Sequence, residues 1–167
     1  PEAPSFQNTI VAMERSGRVL DRATSVFFNL VGTDKNPARA ALEVEYAPKF
    51  AAHRDAIALN PKLFARIKTL YDARASLGLD AIDLRLLEKR YQDFVRAGAA
   101  LGDAQKVRIR AINTELSQLG TKFDQNVLDE VNDSATVVDS RDQLAGMSDE
   151  QIAAAAEAAR TRHLPGK

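Results

Sequence analysis

The chain has no cysteine among its 167 residues, which excludes disulfides, thiol catalysis and cysteine–zinc sites. It has only two histidines, His53 and His163, too few for a metal site built of histidine alone. Lys+Arg and Asp+Glu number 23 each, a net charge of zero. There is thus no surplus of cations to bind nucleic acid by counterion release or to hold an anionic membrane surface. No apolar run approaches the length of a membrane span. The opening PEAPSF lacks the basic start and apolar centre of a signal peptide. Also missing are Gly-x-Gly-x-x-Gly, His-Glu-x-x-His and a serine in a nucleophile elbow. By motif the sequence has no catalytic machinery, and no catalytic, cofactor-binding or metal-ligating residue is assigned in it.

What is there reads as helix. From Phe6, apolar residues recur at Met13, Leu20, Ala23, Phe27 and Leu30, with Gly17 marking a break. Gly32 suits a helix C-terminus in a left-handed conformation. Asn36-Pro37 and Asn60-Pro61 each pair a capping side chain with a proline that tolerates the first helical position. The first opens a helix whose stripe is Leu42, Tyr46, Phe50 and Ile57. The second opens one with Leu63, Ile67, Leu70 and Tyr71, closed by Gly78. Asp80 caps a helix carrying Leu84, Leu87, Tyr91, Phe94, Gly98 and Leu101, and Gly102-Asp103 repeats the stop and cap. The longest stripe follows, Ile109, Ile112, Leu116, Leu119, Phe123 and Val127, fading near Asn132. Thr136, Val137 and Val138 suggest one short extended segment near 136–139, an edge strand at most. Ser148 with Gln151 makes a capping box for an alanine-rich last helix, which has little area to bury and is expected to be the least firmly docked. The fold class is all-α, an antiparallel array of long amphipathic helices, read as one helical region over 1–167.

The short features that could suggest chemistry have plainer readings. Gly32-Thr33-Asp34-Lys35 follows a helix and has one glycine, so it is a helix end and not a phosphate loop. His53-Arg54-Asp55 lies inside a helix with no Asp-Phe-Gly partner, which leaves His53 as a half-buried, hydrogen-bonded side chain on the apolar stripe. His163 sits near a helix C-terminus, where a cation is mildly favoured. Glu43 and Glu45 point to different sides of a helix and make no carboxylate pair. Asn132-Asp133-Ser134 fits a glycosylation sequon that is common by chance.

Taken together, four stretches carry a resemblance. They are PEAPSFQNTIVAMERSGRVLDRATSVFFNLV, APKFAAHRDAIALNPKLFARIKTLYD, LLEKRYQDFVRAGAALGDAQKVRIRAINTELSQLGTKFDQNVL and VVDSRDQLAGMSDEQIAAAAEAA. In order and over nearly the whole chain, they resemble the N-terminal part of bacterial peptidyl-dipeptidases, zinc enzymes of the thimet-oligopeptidase-like family. QDFVRAGA and ELSQLGTKFDQNVL also resemble the sister enzyme oligopeptidase A. The resemblance implies a helix-rich peptidase closed around a channel, which takes short peptides and releases C-terminal dipeptides. Its zinc would be held by a His-Glu-x-x-His helix and a further glutamate encoded elsewhere, with none in this segment.

A start at Pro1 and an end in RTRHLPGK look cut, so the chain is expected to be a piece of that longer enzyme. Its expected partners are the rest of the peptidase chain and, through it, short peptides. An apolar face left uncovered, through which copies self-associate, is expected as well. The composition suits the cytoplasm, and the periplasm equally. The rival reading is a stand-alone helical scaffold or interaction module.

Overall fold

The computed structural model describes residues 2–33 and 36–164, with the side chains of 131–133 left aside. A π-helical turn, Phe6–Val11, runs into α1 (Ala12–Arg15). Then follow α2 (Arg18–Thr33), α3 (Pro37–Ala58), α4 (Pro61–Asp72), α5 (Ala81–Ala97), α6 (Asp103–Asp133) and α7 (Asp149–Thr161). No strand occurs among the described residues, and 134–138 leave the helix without forming a ladder. The all-α reading holds. The chain divides into two compact units, Pro1–Asn126 and Val127–Lys167.

The helix starts follow the capping chemistry of the sequence. Asn36 accepts from the Ala38 amide at 2.9 Å, and Asn60 from the amides of Lys62 and Leu63 at 2.9 and 3.1 Å. Asp80 accepts from Asp83 at 2.8 Å. Ser148 and Gln151 close a capping box at 3.2 and 2.9 Å. The break at Gly17 is real: its φ is +78°, which separates α1 from α2.

Several expected stops lie elsewhere. Gly32 stays inside α2, which runs on to Thr33, and Asp34-Lys35 of the supposed loop lie outside the described residues. The fourth helix ends at Asp72, before a 3₁₀ turn over Arg74–Ser76, and Gly78 turns the loop after it with φ +64°. In α5 the stripe does not run through to Leu101. Gly98 ends the helix with φ +98°, and the Ala99 amide returns to the Phe94 carbonyl at 2.9 Å. Asp103 is the first residue of α6 and not its cap. The Gln105 side chain instead takes the Gly102 amide at 3.1 Å.

The core of the first unit gathers Phe6, Ile10, Ile67, Leu70, Leu87 and Phe94 from the N-terminal turn, α4 and α5, with Ala99 from the turn that follows α5. Burial of each phenylalanine, isoleucine or leucine among them contributes about 1.5–3 kcal/mol. Arg66 pins the N-terminal turn to α4, donating to the Asn8 side chain at 2.7 Å and the Glu2 carbonyl at 2.9 Å. On the same hairpin Tyr71 and Tyr91 stack at 3.8 Å with rings 9° apart, and the Arg74 guanidinium lies 4.2 Å from the Tyr71 centroid. In the second unit, α7 has no buried residue. Its alanines offer little area to dock with.

Two stripes behave differently from expectation. On α3, Leu42, Tyr46 and Ile57 are exposed, while Glu43, Ala51 and Asp55 are buried. On α6, Ile109 and Ile112 are half-buried, but Leu116, Leu119, Phe123 and Val127 stand open to solvent. The period identified each helix correctly; which face is covered depends on the neighbouring element.

Candidate functional site

The most organised polar feature is a seam between α3 and α6. The Asn113 side chain donates to the Asp55 carboxylate at 2.7 Å. The Gln125 side chain donates to the Glu43 carboxylate at 3.1 Å and to the Ala40 carbonyl at 3.2 Å. Twelve residues forward on α3 correspond to twelve back on α6, so both bonds belong to one antiparallel register. Between them, buried Ala51 on α3 and buried Thr121 on α6 keep side-chain volume small. A buried carboxylate persists only with partners, and among the described residues no buried side-chain nitrogen or oxygen lacks one. Twelve residues of helix span about 18 Å. Glu43 and Asp55 therefore cannot act together on one bond, because paired carboxylates in catalysis stand about 5–9.5 Å apart. The seam is a packing device.

A second feature is a cleft of about 350 Å³ bordered by Glu14, Leu20, Phe28, Phe50, His53 and Arg90. Arg90 grips Glu14 in a two-pronged bond, at 2.5 and 2.8 Å. That hydrogen bond holds the Glu14 carboxyl below its ordinary value of 4.5 and raises Arg90. His53 is exposed and not half-buried, since the apolar side of α3 on which it was placed is itself open. His53-Arg54-Asp55 is split by the helical turn: Asp55 points inward to Asn113, and His53 and Arg54 face solvent. Glu43 and Glu45 likewise part company, Glu43 to Gln125 and Glu45 to Lys49 at 2.6 Å.

In the second unit, His163 is exposed with φ +60°, and its amide donates to the Arg160 carbonyl at 3.0 Å. Beside it, Val138, Leu144, Ile152, Ala155, Ala159 and Leu164 line a groove of about 410 Å³. Of the sequon, the side chains of Asn132 and Asp133 lie outside the described residues, and the Ser134 hydroxyl donates to Glu130 at 2.6 Å. Among the described residues no three His, Asp or Glu side chains come together as a metal-binding group. None of their helices is long and apolar enough to cross a membrane.

The sequence reading missed the α3–α6 seam, although a signal for it exists. Asn113, Ser117, Thr121 and Gln125 recur every four residues, a polar line flanking the apolar one on α6.

No protein-family model matches the chain. It is 42% identical over 167 residues to a protein named dipeptidyl carboxypeptidase of Escherichia coli K12, which takes in 100% of this chain and 24% of the relative. A protein of the same name from Salmonella typhimurium is 41% identical over 164 residues, 98% of this chain and 24% of the relative. Oligopeptidase A of Escherichia coli is 24% identical over 162 residues, 97% of this chain and 24% of the relative. The resemblance to peptidyl-dipeptidases, with oligopeptidase A as sister, is borne out along the whole chain. The chain spans about a quarter of the length of the curated relatives it matches.

Proposed function

We propose that this chain is a non-catalytic helical part of a dipeptidyl carboxypeptidase-like zinc peptidase and forms one side of its substrate channel. The observation that carries the reading is the 42% identity to such a protein over every residue of the chain, within a quarter of that relative's length. The described residues do not fit a zinc site, since no metal-binding group of three side chains exists among them. In this reading the metal and its general base are held by residues outside this chain. The contribution of α3 and α6 would be shape. A wall of long helices locked in register admits thin, extended peptides and turns folded ones away, so selection follows from width and not from a particular side chain. The other partners in this reading are the remainder of the peptidase chain and the short peptides it cleaves, in the cytoplasm.

The test is to express the complete reading frame that contains this chain and to assay release of C-terminal dipeptides from short peptides. Activity lost to a chelator and restored by zinc is the expected result. A frame without His-Glu-x-x-His, or a purified product that releases no dipeptide, overturns the reading.

A further inference from the structure

We propose that the uncovered part of α6, from Leu116 to Phe123, is the docking face for an α-helix supplied by the remainder of a longer polypeptide, and that this helix crosses α6 at Gly120. The inference rests on the reading above only in taking the chain as one part of a longer protein.

Leu116, Leu119 and Phe123 are 59%, 55% and 66% exposed and lie three and four residues apart, on one side of the helix. The same stripe is covered at its beginning. Ile109 is half-buried and packs so closely on Gly98 that a Cβ there would stand 2.7 Å from its Cδ1. Ile112 is half-buried too, and from Leu116 onward the cover stops while the apolar pattern continues. The open face thus prolongs an interface already made.

Gly120 adds a second, independent observation. It lies within the apolar side, between Leu119 and Phe123, in the interior of a 31-residue α-helix. Glycine weakens a helix interior relative to alanine. Nothing among the described residues requires it: the φ is not positive, and a Cβ at 120 would meet none of their atoms within 4 Å outside its own stretch of helix. A residue without a side chain, in an apolar helix face, lets a second helix approach closely, since interaxial distance is set by the side chains at the contact. The occupant is assigned to the same polypeptide because the relatives extend to about four times the length matched here. The stripe itself presents no charge, so the approaching face is apolar.

The test places the photo-crosslinker p-benzoylphenylalanine at position 123 of the intact protein, where the native ring is already aromatic. The expected product is a crosslink within one molecule, to a helix outside residues 1–167. A crosslink between two copies, one confined to residues 1–167, or none at all overturns the proposal. Substitutions at Gly120 give a second readout. In the 167-residue chain Gly120→Ala raises Tm by about 2–4 °C through helix propensity alone. In the intact protein Gly120→Leu lowers Tm, although leucine is the better helix former. A rise in both overturns the close crossing. Dipeptide release is read separately. An intact protein that crosslinks as expected but cleaves nothing keeps this inference and discards the proposed activity.

Discussion

Asp55 on α3 accepts a hydrogen bond from the Asn113 side chain on α6 at 2.7 Å, in the same register that brings Gln125 to Glu43. The two bonds fix how far one helix slides along the other, because a shift by one turn would strand two buried carboxylates. Removing one partner is therefore worse than removing both. Asn113→Leu is expected to cost about 1–3 kcal/mol in urea unfolding, the penalty for an unsatisfied buried polar group. Asn113→Leu together with Asp55→Leu is expected to recover most of that loss. If the double variant is as unstable as the sum of the two single ones, the bond does not couple the helices.

The Glu14–Arg90 pair links α1 to α5, and its effect depends on pH. The Glu14 carboxyl titrates below 4.5 in the folded chain because of its bond to Arg90. The stability it contributes is fully present above that ordinary value and is lost as pH falls through the lowered folded value. Both side chains are about one-third exposed, at 33% and 34%, so solvent screening limits the contribution to about 0.5–1 kcal/mol. Glu14→Gln should lower Tm at pH 7, and the gap to the parent chain should close as pH drops below 4.5. A gap that stays constant down to acid pH would place the effect in packing and not in charge.

Gly98 and Gly78 both have positive φ, at +98° and +64°, but they are not equally replaceable. At Gly98 an added Cβ would stand 2.7 Å from Ile109 Cδ1 and 3.0 Å from Leu101 Cδ1; at Gly78 it would meet nothing within 4 Å. Gly78→Ala carries the left-handed penalty of about 1–2 kcal/mol. Gly98→Ala carries that penalty and overpacking of about 1–3 kcal/mol more. Equal losses in chemical denaturation would show that Ile109 yields without cost.

Leu87 is 0% exposed and Leu116 is 59% exposed, although both sit on apolar stripes of similar spacing. Leu87→Ala should cost about 2–5 kcal/mol, through lost burial and the cavity left behind. Leu116→Ala in this chain should fall within about 0.5 kcal/mol of the parent. A large loss at Leu116 would mean that something in the chain already covers it.

These contrasts indicate what the sequence can and cannot reveal. Caps are local, and Asn36, Asn60, Asp80 and Ser148 act where the residues say they should. Helix period is local too, so the elements were legible. Burial is a property of neighbours. The stripe of Leu42, Tyr46 and Ile57 is apolar but open, while Glu43 and Asp55 go inside because Gln125 and Asn113 meet them. That meeting joins residues far apart in the sequence, and one helix read alone does not display it. Gly98 ends α5 through a local signal, a left-handed glycine with φ +98° at the helix end. Its three-four spacing from Phe94 and to Leu101 imitates a face position, and its contact with Ile109 joins residues eleven apart in the sequence.

The stacking of Tyr71 on Tyr91 has a spectroscopic consequence. The chain holds three tyrosines and no tryptophan, so ultraviolet absorption beyond the peptide bands is dominated by Tyr46, Tyr71 and Tyr91. Two of those three rings lie parallel at 3.8 Å, close enough for their transition dipoles to couple. Near-ultraviolet circular dichroism of this protein should therefore be weighted toward the α4–α5 hairpin, a built-in optical gauge of whether these two helices are together.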